Sequence, residues 1–181
     1  MKLGSYKFRR RYSLIQILVD IASLVALASI FYLVYVCAID IEQMKAYNST
    51  EASLDFLNWK PLIVWCVLGV VVTIVSVLLL ILPRKTPKKL TVTEKYAAKY
   101  CNIIDACISC LRFIVLLAIS ELCYLHMKSI MLLQTEFSVQ LILYTIIAAL
   151  LIWFTAIRLN SLSEVAASEA EEEKPRKVIE N

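Results

Sequence analysis

Long apolar runs dominate this chain, and its polar residues gather between them. Leu62 to Leu82, LIVWCVLGVVVTIVSVLLLIL, contains no charged residue. A helix needs about 20 predominantly apolar residues to cross the hydrocarbon of a bilayer, and this run is that long. Phe137 to Ile157, FSVQLILYTIIAALLIWFTAI, is a second uncharged run, with Trp153 near one end. Ser13 to Ile39 is a third, interrupted only by Asp20. A fourth, NIIDACISCLRFIVLLAISELCYLH from Asn102 to His126, is apolar enough to span yet carries Asp105, Arg112 and Glu121. The pattern predicts an all-α polytopic membrane protein, a bundle of four transmembrane helices at about 13–39, 62–82, 101–125 and 137–157.

The charged run inserts only near balance. An Arg, Asp or Glu at the middle of a span costs on the order of 2.5–3.5 kcal/mol, and less toward its ends. Each Leu, Ile, Phe or Val contributes roughly 0.3–0.6 kcal/mol the other way. Ile103 to Leu125 holds about a dozen of these, worth about 5 kcal/mol. Arg112 lies near the centre, with Asp105 and Glu121 toward the ends. This helix is expected to span with help from its neighbours.

Composition agrees with a lipid solvent. Of 181 residues, 60% are hydrophobic, the mean hydropathy is +0.73, and there are two Gly and four Pro. A soluble domain of this size needs more polar surface and more turn residues. The net charge of +4 matters less than where the charges fall. The N-terminus carries Lys2, Lys7, Arg9, Arg10 and Arg11. The loop from Asp40 to Lys60 is acidic, whereas the next is basic, with Arg84, Lys85, Lys88, Lys89, Lys95 and Lys99 against Glu94. The turn around Lys128 to Glu136 is short and near neutral. By the positive-inside rule both termini are expected in the cytoplasm. Residues 1–12 then form a basic cytoplasmic N-terminus, 13–159 the membrane domain and 160–181 a charged tail.

Local signals refine this layout. KFRRR followed by an apolar run resembles a signal peptide, with Ala26-Leu27-Ala28 as a cleavage site. The run continues through SIFYLVYVCAI, however, and Asp20 would interrupt its apolar core, so a retained anchor is expected. Asn48-Ser49-Thr50 is a glycosylation sequon in the first outer loop. Thr91 and Glu94 fit a capping box, which would start the third helix near Val92 and carry it into the membrane past Tyr96 and Tyr100. After Arg158 the tail shows no apolar stripe worth burying and is expected as a short helical continuation that frays into disorder around Lys174-Pro175.

Few residues carry chemistry. With only Gly4 and Gly69 there is no phosphate-cradling loop, and His126 is the sole histidine, so no cofactor or metal site is expected. Cys37, Cys66, Cys101, Cys107, Cys110 and Cys123 all lie in or beside apolar segments, where a thiol is a small interior residue. Cys107 and Cys110 have C-x-x-C spacing, but inside a span no helix N-terminus activates them, and a thiol oxidoreductase ranks last.

An ionisable residue within a span is the stronger signal. At about 100° per residue, Asp105, Ser109, Arg112, Cys123 and His126 share one face of the third helix, with Glu121 roughly opposite Arg112. Asp105 and Arg112 are separated by about 10 Å of rise, too far for an easy bond. Asp20 stands about 12 Å along its helix from Tyr12, and Arg112 about 16 Å from Cys101, on helices that run the same way. Arginine leans toward its helix N-terminus, which closes the difference. An Asp20–Arg112 ion pair between the first and third helices is therefore predicted.

Such a pair either holds two helices in register or, with Asp105 and Glu121, lines a polar path. Glu121 has no obvious partner and would otherwise contact another subunit. The function expected is that of a structural, accessory or interaction subunit without enzymatic activity. A small oligomeric transporter or channel using Asp20, Arg112 and Glu121 is the alternative. The partners expected are the lipid bilayer, with anionic headgroups at the basic cytoplasmic segments, and a second copy or another membrane protein. Nothing in the chain points to nucleic acid.

Overall fold

A computed structural model of the protein describes residues 13–47, 58–82, 94–131 and 138–179. The basic N-terminus, the Asn48 sequon, the segment from Arg84 to Lys89 and the Thr91 cap lie outside the described residues. Four helices form the bundle: α1 (Leu14–Tyr47), α2 (Ile63–Ile81), α3 (Glu94–Ile130) and α4 (Val139–Ile179). All four contain stretches long and apolar enough to cross a membrane, and among the described residues no strand occurs. The chain is an all-α multi-pass membrane protein by length and composition.

Local chemistry sets several of the ends. Gln16 reaches back to accept a hydrogen bond from the Ser13 N–H at 3.0 Å, closing the first turn of α1. A 3-10 turn at Lys60–Leu62 leads into α2, with Pro61 where a missing N–H is harmless. The Asn58 side chain accepts from the Lys60 N–H at 3.1 Å. At the other end Leu82 turns to φ −57°, ψ 134°, since the residue before a proline is steered out of the helical region.

Helix length decides what leaves the membrane. At 1.5 Å per residue α2 is about 28 Å long, close to the hydrocarbon thickness of about 30 Å. Helices α1, α3 and α4 have 34, 37 and 41 residues, so each extends well beyond it. The first helix runs past Ile39 to Tyr47. The tail after Arg158 stays helical to Ile179, through Pro175, instead of fraying. Its Ala- and Glu-rich sequence has high helix propensity, and its first part has something to pack against. Leu162 and Ala166 meet Tyr96 and Tyr100 of α3, so a short apolar stripe does exist there.

Packing centres on α3. Beyond Tyr96 and Ala97 near its start, its buried residues are Asp105, Ser109, Arg112, Leu116, Ile119 and Cys123, alternating by four and three. On α2 the corresponding row is Leu62, Cys66, Gly69, Ser76 and Leu80, and on α1 it is Gln16, Ser23, Ile30 and Cys37 with Val34 and Ile41. This is the 3.5-residue repeat of helices that pack knobs into holes. α1 and α3 run parallel, since Asp20 meets Arg112 and, nine residues further along α1 and eight along α3, Ser29 meets Ser120 at 3.1 Å. α2 runs antiparallel to both and packs against each of them. A Cβ on Gly69 would stand 2.9 Å from Leu27 Cδ1, 3.2 Å from Ile30 Cδ1 and 3.8 Å from Leu116 Cδ2, so this glycine marks where three helices converge.

α4 lies against α3 on the side away from Asp105 and Arg112, and no residue of its apolar span is buried. In lipid this is no defect, because packing rather than removal of apolar surface from water holds spans together. Small side chains at the contacts (Ser23, Ala26, Ser29, Cys37, Cys66, Ser109, Ser120 and Cys123) let the helices approach closely. Hydroxyls are mostly satisfied within their own helix, as Ser23 donates to the Val19 carbonyl at 2.7 Å and Thr73 to that of Gly69 at 2.9 Å.

Candidate functional site

The 3.5-residue row on α1 carries Asp20 at the position that Leu27, Val34 and Ile41 occupy one, two and three heptads later. That register aims its carboxylate at α3. The Arg112 Nη2 donates to Asp20 Oδ1, forming a salt bridge between the two parallel helices. The Arg112 side chain is 7% exposed and that of Asp20 33%. Among the described residues Arg112 Nε is buried without a hydrogen-bond partner. Asp105 is buried on the same row of α3, two turns toward its N-terminus. The structure thus brings Asp20 and Arg112 together and holds Asp105 on the face it shares with Arg112.

Glu121 sits on the opposite side of α3, where α4 begins. The Ser138 hydroxyl donates to Glu121 Oε1 at 2.9 Å. With the Gln140 amide turned nitrogen-inward, that nitrogen donates to both carboxylate oxygens at 2.9 and 2.8 Å. The expectation that Glu121 has no partner in this chain is therefore corrected. Its partners lie 17 and 19 residues on, beyond a turn whose path the sequence pattern does not disclose. The three residues line an open groove of about 420 Å³ with Tyr124, Leu125, Lys128 and Val139. Lys128 Nζ stands 4.8 Å from the centroid of the Tyr124 ring.

Three further contacts escape the sequence reading. Trp65 Nε1 donates to His126 Nδ1 at 3.0 Å, tying α2 to α3 near the same end, with the rings edge to face at 6.2 Å. That bond needs a neutral imidazole carrying its proton on Nε2. Ser29 and Ser120 repeat the Asp20–Arg112 register and were detectable from it. At the far end the Tyr96 hydroxyl donates to Glu169 Oε1. The signal for this contact was the series Leu159, Leu162, Ala166 and Glu169, which continues the helical spacing of α4 beyond Arg158.

All six cysteines are free. Cys37, Cys66 and Cys123 fill one core cluster contributed by α1, α2 and α3. Among the described residues no three His, Cys, Asp or Glu side chains are grouped to hold a metal ion. Among the described residues, neither the groove beside Glu121 nor a second one at the other end of α3 and α4 is lined by Asp20 or Arg112.

No family model matches this chain, and neither a curated protein nor a solved structure is significantly similar to it. Its class rests on its own geometry, that of a four-helix membrane bundle in which the ionisable side chains Asp20, Arg112 and Glu121 bond across helix contacts.

Proposed function

We propose that this protein is a structural, accessory or protein-interaction subunit of a membrane, with both termini in the cytoplasm and no enzymatic activity of its own. One observation carries this reading. Arg112 and Glu121 are each held by side chains of a neighbouring helix, Asp20 on one side and Ser138 with Gln140 on the other. Charges engaged in this way fix helix register and are not poised to release a proton or solute. The spans also lack the Pro or Gly interruptions that mark many transport sites, apart from Gly69 at a helix crossing. The cytoplasmic orientation follows from the basic residues of the N-terminus and second loop.

A small oligomeric transporter or channel is the second reading, favoured by the one-third exposure of the Asp20 side chain. Asp20→Asn and Glu121→Gln separate the two. A structural subunit loses folded protein in proportion to any growth phenotype of the variant strain. A transporter keeps normal expression and loses the phenotype's rescue. Isolation of the tagged chain in mild detergent should recover a stoichiometric membrane partner or a second copy, and a solitary monomer would count against the proposal. Cys107→Ser should leave all of these readouts unchanged, because no thiol chemistry is assigned.

A further inference from the structure

The second groove lies at the opposite end of the bundle from Glu121, between α3 and α4. It has a volume of about 450 Å³ and is lined by Tyr96, Lys99, Asn102, Ile103, Arg158, Ser161, Leu162 and Val165. That size falls within the range of about 300–1,000 Å³ typical of small-molecule sites.

Its chemistry is one-sided. Lys99 comes from α3 and Arg158 from α4, and no carboxylate lines the groove. Among the described residues neither cation has a carboxylate in salt-bridge contact. Each lies over a ring of its own helix instead, Lys99 Nζ 6.0 Å from the Tyr96 centroid and Arg158 Cζ 5.2 Å from that of Phe154. Of the nearby acids, Glu169 accepts the Tyr96 hydroxyl, Glu164 is exposed and is not among the lining residues, and Asp105 is buried on the row with Arg112. Asn102 and Ser161 add neutral hydrogen-bond donors, while Ile103, Leu162 and Val165 form an apolar floor.

Depth completes the picture. Arg112 is close to the middle of its span, and Asn102 lies ten residues, about 15 Å, toward the start of α3. Half the hydrocarbon thickness is also about 15 Å, so the groove opens at the level of lipid phosphates. Phe154 and Ile157, both exposed, continue the apolar surface of α4 on the span side of the groove, where acyl chains would lie.

We propose that this groove is a binding site for the phosphate headgroup of an anionic phospholipid, clamped between Lys99 and Arg158. Basic pockets between spans on the cytoplasmic side suit such headgroups, whose leaflet carries the negative surface potential. Arginine offers the bidentate donor geometry that a phosphate accepts, and lysine adds a mobile point charge. The proposal rests on the membrane-spanning reading, and on the orientation proposed above for the leaflet.

The full chain, reconstituted in phosphatidylcholine nanodiscs doped with phosphatidylglycerol or phosphatidic acid, provides the test, with retained lipid counted by native mass spectrometry. The wild-type protein should keep anionic lipid in preference to phosphatidylcholine. Lys99→Gln combined with Arg158→Gln should weaken retention by about tenfold to thirtyfold, the loss of two surface charges. Ser161→Trp, which keeps both charges and fills the groove, should weaken it as well. Lys88→Gln combined with Lys89→Gln, which removes two charges of the basic loop and keeps Lys99 and Arg158, should retain the preference. Equal retention by the Lys99/Arg158 variant, or loss only in the Lys88/Lys89 variant, overturns the site in favour of diffuse attraction. Binding of inorganic phosphate by the wild-type protein in pure phosphatidylcholine nanodiscs, together with no preference for anionic lipid, overturns a lipid as the ligand. Failure to incorporate into phosphatidylcholine nanodiscs, or release by alkaline carbonate, overturns the membrane-spanning reading instead and is seen before any lipid is counted.

Discussion

Removing one member of the Asp20–Arg112 pair leaves its partner charged inside a helix contact. In Asp20→Leu the guanidinium of Arg112, 7% exposed, keeps its charge and loses the carboxylate. Breaking a buried ion pair from one side costs about 3–5 kcal/mol. Because one third of the Asp20 side chain remains accessible, the expected loss lies at the lower end, about 3 kcal/mol. Arg112→Met leaves the more exposed partner behind and should cost less, about 2 kcal/mol. The double variant Asp20→Leu with Arg112→Met carries no charge into the seam. Its stability should return to within about 1 kcal/mol of wild type, since apolar replacement of a whole buried pair is often neutral. The swapped pair, Asp20→Arg with Arg112→Asp, should recover part of what either single swap loses. Reversible unfolding in mixed micelles, followed by far-UV circular dichroism, gives the four free energies of each cycle. A double variant whose loss equals the sum of the single losses, within about 0.5 kcal/mol, would show that the two side chains do not interact and would refute the pairing.

Other contacts make independent predictions. Gly69→Ala should change stability by less than about 1 kcal/mol, because the flexible ends of Leu27 and Ile30 yield while helix propensity improves; Gly69→Leu should lose about 1–3 kcal/mol by overpacking the same crossing, both read by micelle unfolding. Trp65→Phe removes the donor to His126 and should cost about 1 kcal/mol, with faster hydrogen exchange where α2 meets α3. Tyr96→Phe removes the hydroxyl that holds Glu169, and residues 162–169 should exchange amide hydrogens about five- to tenfold faster while the spans stay protected.

The candidate site was partly legible in the sequence. Asp20 and Arg112 could be matched because both sit on helices of known rise, and depth from the membrane edge is a one-dimensional quantity. Ser29 and Ser120 followed the same register and needed only the second step of that argument. Glu121 was different. Helical phase put it opposite Arg112, but phase cannot say which helix comes to lie there. The packing of α4 against α3 decides that, and it brings Ser138 and Gln140 to the carboxylate. The tail was misjudged for a related reason. Leu162 and Ala166 are too few to read as an apolar stripe alone, yet they suffice when Tyr96 and Tyr100 wait on the extension of α3.

By itself the chain determined that it forms four long apolar helices, and it determined the depth of each charge, because hydropathy and helical rise are local properties. Tertiary structure alone decided which faces of those helices meet. In water the apolar face is the buried face, so pattern predicts packing. In lipid that link is cut. Ile142, Ile146, Leu150, Trp153 and Phe154 of α4 are exposed, while Ser23, Ser76, Ser109 and Arg112 are buried. Where both solvent and core are apolar, close fit and polar pairing select the contact, and these exist only once the helices have been brought together.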